Sequence, residues 1–137
     1  MTLKTVTVLL VEDDIVDQMT VKRAFQDAKI ANPMLVANDG VEALKTLRGR
    51  QVSRPYLILL DLNMPRMSGI EFLQELRKDP EHHRAVVFVL TTSREDEDRI
   101  KAYDQNVAGY IVKADIGNGF LRLVTLLEHY WRIVEFP

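Results

Sequence analysis

Five short aliphatic runs recur along this chain, each followed by a stretch of polar and helical character. They are "TVTVLLV" at 5–11, "MLVA" at 34–37, "YLILL" at 56–60, "VVFVL" at 86–90 and "YIV" at 110–112. Leu57 to Leu60 are aliphatic without a break, the pattern of a strand covered on both faces. The intervening segments change period. Residues 15–28 place Ile15, Met19, Ala24, Phe25 and Ala28 roughly on one helical face. Asp39, in the turn "NDG", is an expected N-cap for a helix through Leu47. Ile70, Phe72, Leu73 and Leu76 predict a helix ending near Pro80. "REDED" at 94–98 stacks acids where a helix dipole favours them, and residues 120–134 predict a last helix. Alternation of this kind argues for α/β architecture: a five-stranded parallel sheet, doubly wound, with helices on both faces.

At 137 residues the chain is expected to form one domain, 1–137, with no room for an output domain. A net charge of −2 and the lack of any Lys/Arg cluster argue against nucleic acid as a partner. No run of 18 or more apolar residues is present and the N-terminus has no cleavage-site pattern, which argues against a membrane span or signal peptide. With no cysteine, disulfides and thiolate metal sites are excluded, and a cytoplasmic location is expected.

In a doubly wound sheet, ligands bind beyond the carboxyl ends of the strands. The residues there are Glu12, Asp13 and Asp14 after the first run, Asp61 after the third, Thr91 after the fourth and Lys113 after the fifth. Nothing comparable follows the second. A carboxylate closing a buried strand is costly unless a cation meets it. Several acids crowded together, with neither His nor Cys among them, point to a hard cation such as Mg²⁺ or Mn²⁺. Thr91 adds a hydroxyl and Lys113 an ammonium. A carboxylate among a metal, a hydroxyl and an ammonium suits nucleophilic attack on phosphorus, so Asp61 is the expected phosphoacceptor.

"LLVEDD", "LILLDLNMPRMSG", "FVLTTS" and "GYIVKA", in that order over nearly the whole chain, resemble the receiver domains of two-component response regulators. "NDGVEAL" is similar to the family's entry into its second helix. The resemblance implies a flavodoxin-like (βα)₅ fold with strand order 2-1-3-4-5 and phosphorylation of Asp61 by a sensor histidine kinase. It implies Asp13 as a direct metal ligand, Glu12 acting mostly through water, and Asn63 giving the metal its backbone carbonyl. Thr91 and Lys113 match the pair that contacts the phosphoryl group, and Tyr110 matches an aromatic that changes rotamer on activation. More narrowly, "VLTTSREDED" and the terminal "LLEHYWRIVEFP" resemble single-domain regulators that partner cyanobacterial and bacterial phytochromes. That resemblance implies a phytochrome-type kinase as phosphodonor.

The chain departs from the pattern at Ala114, where receivers usually carry Pro after the active-site Lys, and at Thr92, where a smaller residue is common. Both bear on how Lys113 and Thr91 approach the phosphoryl group. Asp14 reads as a helix cap or a solvent-facing acid rather than a third ligand. His82, His83 and His129 read as surface residues. In the last helix Leu123, Val124, Leu126, Leu127, Tyr130, Trp131, Ile133 and Val134 sweep an apolar arc of about 180° at about 100° per residue. Docking on a sheet needs little more than about 100°. The excess predicts a homodimer contact through this helix and the fifth strand, Tyr110 included. The competing functions are a Mg²⁺-dependent aspartyl phosphatase, a phosphorelay intermediate and a docking-only receiver. The first lacks a second Asp two residues after Asp61, where Asn63 stands, and the complete acidic, Thr and Lys set argues against the last.

Overall fold

The structure is a computed structural model and describes residues 5–27, 29–62, 64, 66–91, 103–112 and 129; at 91 and 110–112 the description is of the backbone. In chain order the elements are β1 (Thr7–Val11), α1 (Ile15–Asp27), β2 (Met34–Ala37), α2 (Gly40–Arg48), β3 (Tyr56–Asp61), α3 (Gly69–Lys78), β4 (Val86–Thr91) and β5 (Gly109–Val112). All five strands form one parallel sheet in the order β2-β1-β3-β4-β5. This is the expected doubly wound, flavodoxin-like order. The predicted last helix, with the dimer candidates Leu123, Leu126, Leu127, Tyr130, Trp131, Ile133 and Val134, and the "REDED" helix start lie outside the described residues. His129 is exposed, as expected.

Alternation along the strands divides the core between the two faces of the sheet. Leu9, Val11, Ile58, Leu60, Val87 and Val89 point to the face covered by α2 and α3, where they meet Ala43, Leu44, Leu47, Phe72, Leu73 and Leu76. Val8, Leu10, Leu57 and Leu59 point the other way, onto Val21, Ala24 and Phe25 of α1. Phe72 is fully buried, and truncation to Ala is expected to cost about 3–5 kcal/mol.

One helix buries only part of the face its sequence predicts: Ala24 and Phe25 turn inward as expected, Ile15 and Met19 do not. Ile15 and Met19 are 68% and 55% exposed, while Gln18, Val21, Ala24 and Phe25 are buried. Val21 and Phe25 fix the inward stripe. From Val21, Ile15 lies about 120° and Met19 about 160° round the helix, so both face away from the sheet.

Each of the three described helix starts is tied down by a side chain. Asp14 Oδ1 accepts from the backbone N–H groups of Val16 (2.8 Å) and Asp17 (3.3 Å), so Asp14 takes the capping role. Asp39 caps α2 through Glu42 N at 2.8 Å, as expected. Ser68 and Glu71 form a capping box on α3, with bonds of 3.2 and 3.4 Å. Gly69 answers to a close approach. A Cβ there would stand 2.6 Å from both the Asp61 carbonyl oxygen and Leu62 Cα, so only glycine lets α3 start against the end of β3.

Candidate functional site

Register brings the site together before any side chain is considered. Val11 of β1 lies opposite Leu60 of β3, so the next residues, Glu12 and Asp61, emerge side by side. Asp61 in turn lies opposite Leu90 of β4, and Thr91 follows it at that strand's end, opposite Val112 of β5. Strand ends from β1, β3, β4 and β5 therefore converge, with the backbone of Thr91 at the carboxyl edge and that of Tyr110 within β5. The side chains of Thr91 and Tyr110, and the residues Asn63, Lys113, Ala114 and Thr92, lie outside the description.

Glu12, Asp13 and Asp61 each present a carboxylate oxygen within 4.8 Å of the other two. Glu12 is 2% and Asp61 6% exposed, while Asp13 faces solvent. Two fully ionised carboxylates at that separation repel by about 3 kcal/mol at an effective dielectric constant of about 20, less where Asp13 reaches water. The donor set is oxygen only and open on one side. It fits a hard divalent cation, Mg²⁺ or Mn²⁺, that retains water ligands. Two of these acids sit in rigid surroundings: Asp61 closes a buried strand, and Glu12 N donates to the Ala37 carbonyl oxygen at 3.0 Å.

Three contacts around the site had no counterpart in the sequence reading. Gln18, buried on α1, donates from Nε2 to the Glu12 carbonyl oxygen (2.6 Å) and to Asn38 Oδ1 (2.9 Å). Arg66 donates from Nε (2.9 Å) and a terminal nitrogen (2.5 Å) to Asp39 Oδ2. Burial pushes the Asp39 carboxyl upward, but bonds from Glu42 N, Arg66 and Val41 N outweigh it and hold the group below its usual range. At the opposite end of the sheet, His82 corrects the surface assignment. It is 7% exposed, and its Nδ1 shares a 2.8 Å hydrogen bond with the Tyr56 hydroxyl. The reason is the turn after α3: Asp79 Oδ1 binds Glu81 N and His82 N, turning His82 inward toward the first residue of β3. His83 is exposed, as expected.

Residues 8–119 match the family model of the response regulator receiver domain. The chain belongs to that family. It is 34% identical over 128 residues to response regulator Rcp1 of Synechocystis sp., an alignment covering 90% of this chain and 87% of Rcp1. The Mn²⁺-bound crystal structure of Rcp1 superposes with a TM-score of 0.82 at 33% identity, covering 96% of this chain and 98% of that one. The phosphorylated cyanobacterial phytochrome response regulator RcpA superposes with a TM-score of 0.86 at 33% identity, covering 98% and 99%. This receiver is a signalling protein of the two-component type, it is similar to phytochrome response regulators, and its acidic cluster suits a divalent cation.

Proposed function

We propose that the protein is a stand-alone phosphorylation switch that takes a phosphoryl group from a phytochrome-type histidine kinase onto Asp61. The observation that carries this reading is the cluster of Glu12, Asp13 and Asp61 at adjoining strand ends of a receiver fold. An oxygen of Asp61 forms the new O–P bond as the P–N bond of the donor phosphohistidine breaks, and the departing imidazole takes a proton from solvent. Glu12, Asp13 and Asp61 would hold Mg²⁺ or Mn²⁺, with the backbone carbonyl of Asn63 as the family resemblance implies, and the cation would supply positive charge to the phosphoryl oxygens. The family resemblance assigns the Thr91 hydroxyl and the Lys113 ammonium to contact with those oxygens. Phosphorylation favours the state in which Thr91 and Tyr110 turn inward, a population shift between two conformations.

Output is protein–protein binding without turnover of a substrate. The protein works in the cytoplasm as a homodimer, joined through the last helix and β5, without nucleic acid or membrane. Among the described residues no helix is long and apolar enough to cross a membrane.

The test is an intact-mass spectrum after incubation with acetyl phosphate and Mg²⁺. One added phosphoryl group is expected, absent both in Asp61→Asn and in chelator. If the wild type gains nothing, either from acetyl phosphate or from a phosphorylated phytochrome-type kinase, the protein is a docking-only receiver. If Asp61→Asn retains the added mass, the acceptor lies elsewhere.

A further inference from the structure

The end of β2 supplies no metal ligand, yet it holds both of the loops that do. Two consecutive residues there, Asn38 and Asp39, reach in opposite directions. Asn38 Oδ1 accepts from Gln18 Nε2 at 2.9 Å, and the same Gln18 nitrogen donates to the Glu12 carbonyl oxygen at 2.6 Å. This fastens the loop carrying Glu12 and Asp13. Asp39 Oδ2 accepts twice from Arg66, at 2.9 and 2.5 Å, and this fastens the segment between Asp61 and α3. Glu42 ties the two residues together, since its backbone N–H binds Asp39 Oδ1 at 2.8 Å and its carboxylate accepts from Asn38 Nδ2 at 3.2 Å.

Helix capping alone does not account for this arrangement. The cap uses Asp39 Oδ1, and Oδ2 is left over for Arg66. Arg66 also adopts φ 63°, a left-handed conformation that residues with side chains seldom take. Its neighbour Met67 packs so closely on α2 that a Cβ on Gly40 would approach its side chain to 2.9 Å. The segment after Asp61 is thus pinned to the start of α2 at two successive residues.

We propose that the Asn38–Asp39 turn is the positioning bracket of the cation site, setting the distance between the Glu12/Asp13 loop and the Asp61 loop through Gln18 and Arg66. The inference rests on reading the acidic cluster as a metal and phosphoryl site. Arg66, Asp39, Asn38 and Gln18 are positioning residues that touch neither metal nor phosphoryl group. Partners that orient ligands in this way typically change metal affinity by about 10–100-fold when removed.

The experiment is a Mn²⁺ titration by calorimetry of the full chain, with thermal melting in chelator alongside. The variants are Arg66→Ala, Asp39→Asn, their combination, and Arg48→Ala as a control at the far end of the sheet. Asn caps a helix about as well as Asp, so Asp39→Asn removes the charge that Arg66 pairs with while sparing α2. Arg66→Ala and Asp39→Asn are each expected to weaken Mn²⁺ binding about tenfold. The double variant is expected to be no weaker than the worse single one, since both break one contact. Arg48→Ala is expected to match the wild type. Affinities within twofold of wild type in both single variants, or losses that multiply in the double variant, would overturn the bracket. A wild type that binds no Mn²⁺ would instead overturn the reading of the site itself, and the bracket with it.

Discussion

The two ends of the sheet handle buried polarity in opposite ways. At the amino end the buried Asp79 and the half-buried Arg77 are held by groups of the chain itself. Asp79 Oδ2 takes Arg48 Nε at 3.2 Å, and Asp79 Oδ1 takes two backbone N–H groups. Burial raises the Asp79 carboxyl, but those hydrogen bonds and the nearby cationic groups bring it below its ordinary value. Arg77 donates to the carbonyl oxygens of Gln105 (2.6 Å), His83 (2.8 Å), Ala85 (2.8 Å) and Asn106 (3.0 Å), closing the turn before β4 onto the one before β5. At the carboxyl end three carboxylates gather within 4.8 Å of one another. The first arrangement stabilises the chain by itself. The second collects like charge and gains from a cation. The amino end ties its turns together with hydrogen bonds from within the chain, whereas the carboxyl end gathers carboxylates suited to a divalent cation.

That contrast breaks if amino-end substitutions disturb the metal, or sharpens if they lower stability alone. Arg77→Met should have the largest effect, a loss of about 3 kcal/mol in urea unfolding, because charge-assisted bonds to several carbonyls disappear together. Its Mn²⁺ affinity should be that of the wild type. Asp79→Ala should cost about 2 kcal/mol by the same measurement, from the lost turn contacts and the ion pair with Arg48. Asp79 also sets a pH dependence. Its folded pKa lies below the unfolded 3.8, so its stabilisation is present above that pH and is lost as pH falls through the folded value. Asp79→Asn should therefore flatten part of the acid limb of a stability–pH curve. Tyr56→Phe should be the mildest, about 1 kcal/mol for the hydrogen bond to His82. Burial pushes the Tyr56 phenol up to about 12 from 10.0. Its contribution is full below pH 10 and is lost as pH rises toward 12, a loss that the Phe variant should lack.

Most of the fold was legible because periodicity reports burial. β2 matches its run residue for residue, and α2 ends one residue beyond Leu47. The register of parallel strands then brought Glu12 and Asp61 together without further assumption. Misreadings arose where a residue's side depends on its neighbours. Ile15 and Met19 are apolar yet point outward, because the first helix is oriented by Val21 and Phe25. His82 looked like a loop residue because its partner Tyr56 stands 26 positions away. The Asp39–Arg66 contact spans 27 positions, and no local pattern announces it. The family resemblance could not supply it either, since "MPRMSG" names the segment without saying what its Arg touches.

The most direct test of the central claim is the melting temperature of the wild-type chain and of Asp61→Asn, each in chelator and in Mg²⁺ at matched ionic strength. A cation that binds only the folded state adds about 2.7 kcal/mol of stability at a hundredfold excess over its Kd. The account predicts a clear upward shift with Mg²⁺ in the wild type and a much smaller one in Asp61→Asn. A wild type indifferent to Mg²⁺, or an Asp61→Asn variant that shifts as much as the wild type, would contradict it.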